Sequence, residues 1–323
     1  MVKAVRIETA GGPEVLKVVD VDVGEPGPGQ ARVRHHACGL NFIDVYFRTG
    51  LYPQPMPAGC GQEGAGVVEA VGPDVTHVKP GDRVAYAGGP QGSACEVRVM
   101  PANVLVKLPK SIPFDTAAAM MLKGLTVQYL LRRTYRVQPG QTILFHAAAG
   151  GVGLIAMQWA KLLGATVIGT VGSQEKAELA KAHGCDHPIV YTRENFVERV
   201  KEITNGKGVP VVYDSIGRDT FQGSLDCLSP FGLMVSFGNA SGPVQPFALA
   251  PTLKGSLYLT RPSLVAHTAK RESLEEGAAE LFKVVSSGKV KIEISQRRPL
   301  AEVEQAYRDL EARKTTGSTV LMP

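Results

Sequence analysis

The first eight residues, Met1-Val2-Lys3-Ala4-Val5-Arg6-Ile7-Glu8, alternate apolar and polar side chains, the period-two signature of a half-buried strand. Short β-like runs continue to about residue 122, separated by Gly and Pro. Examples are Ala31-Arg32-Val33-Arg34, Gly66-Val67-Val68-Glu69-Ala70-Val71-Gly72 and Ala94-Cys95-Glu96-Val97-Arg98-Val99. This spacing predicts a twisted, barrel-like β-domain. Near residue 114 the texture changes: 114–121 and 125–131 read as helical, and from Thr142 strands alternate with helices. A strand over 142–146 leads through a glycine turn into a helix ending near Leu163. On that helix Val152, Ile155, Ala156, Trp159, Ala160 and Leu163 recur at helical spacing and form one apolar face. A strand over 166–171, a helix over 174–183 and strands over 188–190, 209–214 and 233–237 follow. Repeated β-α-β units predict an α/β class with a doubly wound parallel sheet covered on both faces. Further on, helices over 272–286 and 301–313 flank a strand over 290–294. No segment repeats.

Length and composition sharpen this picture. A chain of 323 residues has room for about two domains. Its 36 glycines exceed the roughly 23 that average usage would give, which calls for tight turns or close backbone approaches. The net charge is only +5, from 35 basic and 30 acidic side chains, and the basic residues form pairs (Arg132-Arg133, Arg297-Arg298) without a stripe. Nucleic-acid binding is therefore not expected. The start lacks a secretory apolar region, and the longest apolar candidate, 147–157, is interrupted by glycines, so a cytoplasmic protein off the membrane is expected. Five scattered cysteines without Cys-x-x-Cys spacing read as buried thiols, not a disulfide framework or zinc finger.

The chemistry begins at His146-Ala147-Ala148-Ala149-Gly150-Gly151-Val152-Gly153. Placed between a strand and an amphipathic helix, it matches G-x-G-x-x-G with Ala148 in the first place, then Gly150 and Gly153. The middle glycine lets backbone approach a pyrophosphate and the last allows close helix–sheet packing. Free N–H groups and the helix dipole then face the phosphates. An NAD site would carry Asp or Glu about 20 residues on, at the end of the second strand. Here that stretch is Thr170-Val171-Gly172-Ser173-Gln174-Glu175-Lys176. A small residue, a hydroxyl and a lysine stand there instead, a set that accommodates the 2′-phosphate of NADPH.

A β-rich domain, a Rossmann domain and a short C-terminal return together resemble the medium-chain dehydrogenase/reductase superfamily. Asn41-Phe42-Ile43-Asp44-Val45-Tyr46, Lys123-Gly124-Leu125-Thr126-Val127, the 146–153 loop and Gly232-Leu233-Met234-Val235-Ser236-Phe237-Gly238-Asn239 look like the NADPH:quinone oxidoreductase, or zeta-crystallin-like, group. The resemblance spans essentially the whole chain. It implies a GroES-like β-barrel-type catalytic domain over 1–122 and 262–323, a Rossmann coenzyme domain over 123–261, and a homodimer formed through the Rossmann domain. Zinc alcohol dehydrogenases of the superfamily carry Gly-x-Cys-x-x-Asp and Gly-His-Glu, whose Cys and His bind the catalytic metal. The matching stretches here read Gly39-Leu40-Asn41-Phe42-Ile43-Asp44 and Gly61-Gln62-Glu63. Neutral amides are poor zinc ligands, Cys38 and Cys60 are off register, and only Cys95 stands where a structural zinc lobe would be. No metal is expected.

Without a Lewis acid, an electron-poor quinone is a more accessible acceptor than a plain ketone. Asn41, Asp44, Tyr46 and Tyr52 are the candidates for positioning it, the two tyrosines by stacking and hydrogen bonding. The resemblance implies coenzyme contacts from Thr126, Val152, Ser173, Lys176, Tyr191, Phe237, Gly238, Asn239 and Ser241. Ala148, Gly150, Gly151, Gly153 and Gly172 are added from the turns, and Asn41 and Arg313 as further candidates. Lys123 reads equally as a local helix charge. The run 252–260 would be the dimer-edge strand, or an internal one. His146 reads as a strand-end residue held by packing or a backbone hydrogen bond, and no Ser/His/Asp arrangement has motif support. The expected activity is zinc- and flavin-independent reduction of quinones with NADPH. Two alternatives stay open: a zinc-independent enone or 2-alkenal reductase, and a non-catalytic NADPH-binding protein with an RNA-binding or structural role.

Overall fold

The β-branched runs in the middle of the chain become six parallel strands. Their spatial order is His187–Val190, Thr166–Val171, Thr142–Phe145, Val209–Asp214, Leu228–Ser236 and Tyr258–Thr260. Counted from Thr142–Phe145 this is 3-2-1-4-5-6, the order of a doubly wound dinucleotide-binding sheet. The winding direction reverses between Thr142–Phe145 and Val209–Asp214, which pair through Leu144 with Val212 and Phe145 with Tyr213. Ile143, Leu144, Ile168, Val211, Val212 and Met234 are fully buried, as a sheet covered by helices on both faces requires.

The computed structural model describes residues 1–323 and divides into two units. One comprises Met1–Leu125, His267–Ser286 and Ile292–Pro323; the other comprises Thr126–Ala266 and Ser287–Lys291. The parallel sheet belongs to the second. The first holds a three-stranded antiparallel sheet, Lys17–Val21, Val2–Ile7 and Ala58–Gly59. It also holds a seven-stranded one in the order Ile294–Pro299, Ser318–Met322, Gln30–Gly39, Glu63–Val71, Arg83–Ala87, Val106–Lys107, with Val97–Pro101 also paired to Gln30–Gly39. Val33, Val68, Val84, Tyr86, Met100 and Leu105 fill its core. Val5, Ile7, Leu40, Leu300, Val303, Tyr307 and Leu321 form a second core in the same unit. No helix is long and apolar enough to cross a membrane.

The helix Gly151–Leu162 buries Leu154 and Met157 as well as Ile155, Ala156, Trp159 and Ala160, a wider face than spacing alone indicated. Three expected elements differ. The helices over 114–121 and 125–131 are one helix, Phe114–Tyr129, followed by a π-helical turn at Leu130–Thr134. The intervening Gly124 is tolerated because Leu281 packs where its Cβ would be, 2.5 Å away. The strand expected over 290–294 begins only at Ile294 and runs to Pro299, because its partner Ser318–Met322 engages that later register. The run 252–260 is mostly not strand: the helix Ala250–Leu253 ends in a turn at Gly255, and only Tyr258–Thr260 pairs, at the sheet's edge.

Candidate active site

In the first unit the site is built around a buried carboxylate. Asn41 is the N-cap of the helix Phe42–Arg48, and its side-chain amide donates from Nδ2 to Glu63 Oε2 at 2.7 Å. The same oxygen accepts from Lys123 Nζ at 3.2 Å, and Glu63 Oε1 accepts from the backbone N–H of Leu122 at 2.7 Å. Lys123 also donates to the Leu40 carbonyl at 3.2 Å. Glu63 is wholly buried and Lys123 nearly so, so Lys123 is a buried ion-pair partner, not a surface helix charge. Gly39 has to be glycine, since a Cβ there would overlap the Glu63 carboxylate and the Ala118 carbonyl.

Asp44 faces inward. Its Oδ2 accepts from the Asn41 backbone N–H and from the Tyr307 hydroxyl, both at 2.9 Å, and Cys60 Sγ donates to that hydroxyl at 3.3 Å. Burial raises the Asp44 carboxyl to about 7, against the opposing effects of these hydrogen bonds and of Lys123. Its geometry is that of a residue holding Asn41 and the helix Val303–Glu311 in place. At the end of the helix Phe42–Arg48, Arg48 is fully buried, ion-paired to Glu311 at 2.7 Å and lying over the Tyr307 ring.

The two expected tyrosines do come together. Tyr46 and Tyr52 meet edge to face with centroids 5.2 Å apart, and Phe42 and Phe47 extend the cluster at 5.7 and 5.6 Å. The Tyr52 N–H donates to the Tyr46 carbonyl at 2.9 Å, which holds the loop against the helix.

In the second unit the 147–153 turn has the shape its sequence requires. Ala147 takes a left-handed conformation at φ 56°, and Gly150 N–H donates to its carbonyl at 3.0 Å. The Ala148 N–H donates to the Thr170 carbonyl at 3.0 Å, fastening the turn to the next strand. A Cβ on Gly153 would overlap Ala147 O and the Ala148 backbone. No side chain caps the helix that starts at Gly151. Its first N–H groups, on Gly151, Val152 and Gly153, have no partner one turn back.

At the end of Thr166–Val171, Ser173 caps the helix Gln174–Ala182 by accepting from the Lys176 N–H at 3.3 Å. A Cβ on Gly172 would lie 3.1 Å from the half-exposed Tyr191 hydroxyl, so Gly172, Ser173, Lys176 and Tyr191 share one corner. Across the sheet, Phe237 packs on Phe145 at 5.7 Å and donates its N–H to the Asp214 carbonyl. A Cβ on Gly238 would meet Ser215 O at 2.5 Å. Ser241 spends its hydroxyl on Ile216 O and on the Asp219 N–H, and Asn239 accepts from the Gly242 N–H. Thr126 is buried at the start of this unit. Arg313 lies in the first unit, exposed, in a left-handed turn after Val303–Glu311.

Two family descriptions match: "Alcohol dehydrogenase GroES-like domain" over residues 27–110 and "Zinc-binding dehydrogenase" over 151–283. The chain is 57% identical over its full length to the whole of a quinone oxidoreductase of Pseudomonas aeruginosa. It matches the crystal structure of Escherichia coli quinone oxidoreductase complexed with NADPH with a TM-score of 0.98 and 50% identity, over 99% of this chain and all of that one. A 2-haloacrylate reductase of a Burkholderia species is 46% identical over all of this chain and 99% of its own. The chain belongs to the quinone oxidoreductase family.

One of the two matching family descriptions names zinc. The residues do not fit a catalytic zinc: Asn41 and Gln62 offer neutral amides, and Glu63 is engaged by Lys123 and Asn41. The Cys60 thiol is raised to about 12 by burial and the nearby Asp44 charge. Burial also raises the Cys38 thiol, and no group of three His, Cys, Asp or Glu side chains could hold an ion.

Glu63 belongs to the Gly61-Gln62-Glu63 stretch, which by itself gives it no role. The signal was a lone charge entering a glycine-rich, otherwise buried strand. The sequence also conceals Tyr307, whose link to Asp44 crosses 263 positions, and a polar group at His146, Asp214 and Ser224 that no local motif marks.

Proposed function

We propose that this chain is an oxidoreductase that reduces quinones with NADPH, without zinc or flavin. The observation that carries the coenzyme is the 147–153 turn, where Gly153 leaves no space for a Cβ and an uncapped helix N-terminus begins at Gly151. Backbone N–H groups of Gly151, Val152 and Gly153 would hold the pyrophosphate, with Ala148 and Gly150 fixing the turn. Lys176, Ser173 and Tyr191 around Gly172 would hold the 2′-phosphate, with Ser173 released from the Glu175 carboxylate that it bonds in this structure. Thr126, Phe237, Gly238, Asn239 and Ser241 are assigned to the remaining coenzyme contacts in this unit. When bound, NADPH supplies the hydride.

The acceptor would rest on Tyr46 and Tyr52, whose rings suit a flat molecule and whose hydroxyls suit its oxygens. Asn41 would meet it with an amide held by Glu63, and Asp44 would act through Asn41. The quinone oxidoreductase relatives support a quinone as that acceptor. The 2-haloacrylate reductase supports a second reading, an activated C=C bond reduced by the same chemistry. The division of labour would be catalytic for 1–122 and 262–323 and coenzyme-binding for 123–261. A homodimer through the edge strand Tyr258–Thr260 is supported by the exposed Tyr258 on it and the exposed Leu253 that precedes it. We place the protein in the cytoplasm.

The test is a panel of quinones and activated alkenes assayed with NADPH and NADH in the presence of a chelator. Higher kcat/KM for quinones, a preference for NADPH and indifference to chelator are expected. Preference for alkenes would establish the second reading, and chelator sensitivity or NADH preference would overturn the corresponding part.

A further inference from the structure

His146 and Asp214 stand at the carboxyl ends of the two central strands, where the winding of the sheet reverses. Both are fully buried. All of the Asp214 carboxylate is used. Oδ1 accepts from the N–H groups of Ile216 at 2.7 Å and Gly217 at 3.0 Å. Oδ2 accepts from Thr220 Oγ1 at 2.7 Å and Ser224 Oγ at 2.8 Å. Because Ser224 gives its single proton to Asp214, it can only accept from His146 Nε2, 3.0 Å away. His146 Nδ1 must then accept from the Thr170 hydroxyl at 2.8 Å. The chain therefore runs one way, Thr170 to His146 to Ser224 to Asp214. Burial lowers the His146 pKa, which favours the neutral ring this order needs.

The loop that Asp214 fixes is the mould for 237–242. Ala240 N–H donates to Ser215 O at 3.1 Å, Ser241 N–H to Ile216 O at 2.8 Å, and Arg218 N–H to Gly242 O at 3.1 Å. Gly217, at φ 92°, would press a Cβ to 2.6 Å from Gly242 O and 3.3 Å from Asn239 Cα. The two loops are thus hydrogen-bonded to each other and packed closely at Gly217.

We propose that Asp214 is a positioning residue for the coenzyme: through the 215–220 loop it sets Gly238, Asn239 and Ser241, and through Ser224 and His146 it fastens them to the phosphate turn. This rests on the reading of NADPH as coenzyme. It separates Asp214 from the 2′-phosphate corner at Ser173, Lys176 and Tyr191, so two probes divide the roles. Asp214→Ala is expected to weaken NADPH binding at least tenfold in fluorescence titration while 2′,5′-ADP binding changes by less than twofold. Asp214→Asn keeps an oxygen for Ile216 and Gly217 and should restore NADPH affinity to within threefold. Its new N–H donor reverses the chain, so nitrogen NMR should find the His146 ring switched from the Nε2–H to the Nδ1–H form. Gly217→Ala strains the same loop from its other side and gives the same probe split if Asp214→Ala does not fold. Equal loss of both probes, or of neither, overturns the proposal, as does an unchanged ring form in Asp214→Asn. Failure of the wild-type protein to bind NADPH would instead remove the coenzyme reading itself.

Discussion

Asn41 donates its side-chain amide to Glu63 at 2.7 Å, so the residue standing where metal-dependent relatives have a thiolate is held by a buried carboxylate. That carboxylate is balanced by Lys123. The site thus keeps a rigid side chain at this position with a neutral pair of charges beneath it.

Removing one member of that pair should be costly. Glu63→Ala leaves the nearly buried Lys123 ammonium without a counter-charge, a loss of about 3–5 kcal/mol by analogy with other broken buried pairs. The double variant Glu63→Gln/Lys123→Met should recover most of it in urea unfolding. A single Glu63 variant as stable as wild type would show that the pair carries no such load.

Lys176→Ala should weaken NADPH binding by about ten- to a hundredfold, the loss of one charge-assisted contact. NADH binding, which involves no 2′-phosphate, should change by less than about threefold. Equal effects in fluorescence titrations with the two coenzymes would place the lysine away from the phosphate.

Gly153→Ala and Gly150→Ala should differ sharply. The first Cβ would overlap backbone of the phosphate turn, while the second would stand 3.3 Å from a single carbonyl oxygen. Overpacking of about 1–3 kcal/mol is expected for Gly153→Ala, read as a lower melting temperature with loss of NADPH affinity. Comparable behaviour of the two variants would contradict the assigned geometry.

Asp44 makes stability depend on pH in a known direction. Its folded pKa is about 7, above the ordinary carboxylate value of 3.8, so the folded state retains this proton longer than the unfolded chain. The contribution is complete below about pH 4 and is lost as pH rises through about 7. Relative to Asp44→Asn, the wild-type protein should therefore become less stable between pH 5 and pH 8. A constant difference in denaturation midpoints across that range would refute the burial-driven shift.

What the sequence revealed was local. The strand, glycine turn and helix around 142–162 follow from spacing and turn chemistry that neighbours impose on one another, and so does the missing acid after Val171. The partners of Glu63 are Asn41 and Lys123, 22 and 60 positions away, and no periodicity links them. Asp44 illustrates the same limit: the sequence places it in one short stretch with Asn41, but its inward orientation depends on Tyr307. The run 252–260 misled because its apolar residues suit an edge strand, whereas Pro251 and Gly255 favour a helix start and a turn.

The strand Ser318–Met322 lies between Ile294–Pro299 and Gln30–Gly39, pairing Val320 with Gly39 and Leu321 with Cys38. During synthesis, the strand leading to Asn41 emerges early and then waits for a neighbour made almost three hundred residues later. The six parallel strands, by contrast, lie in one uninterrupted stretch between Thr142 and Thr260. On the ribosome the order of completion is therefore the reverse of the order of appearance: the coenzyme sheet can close first, and the sheet leading to Asn41 becomes whole only once Ser318–Met322 has emerged.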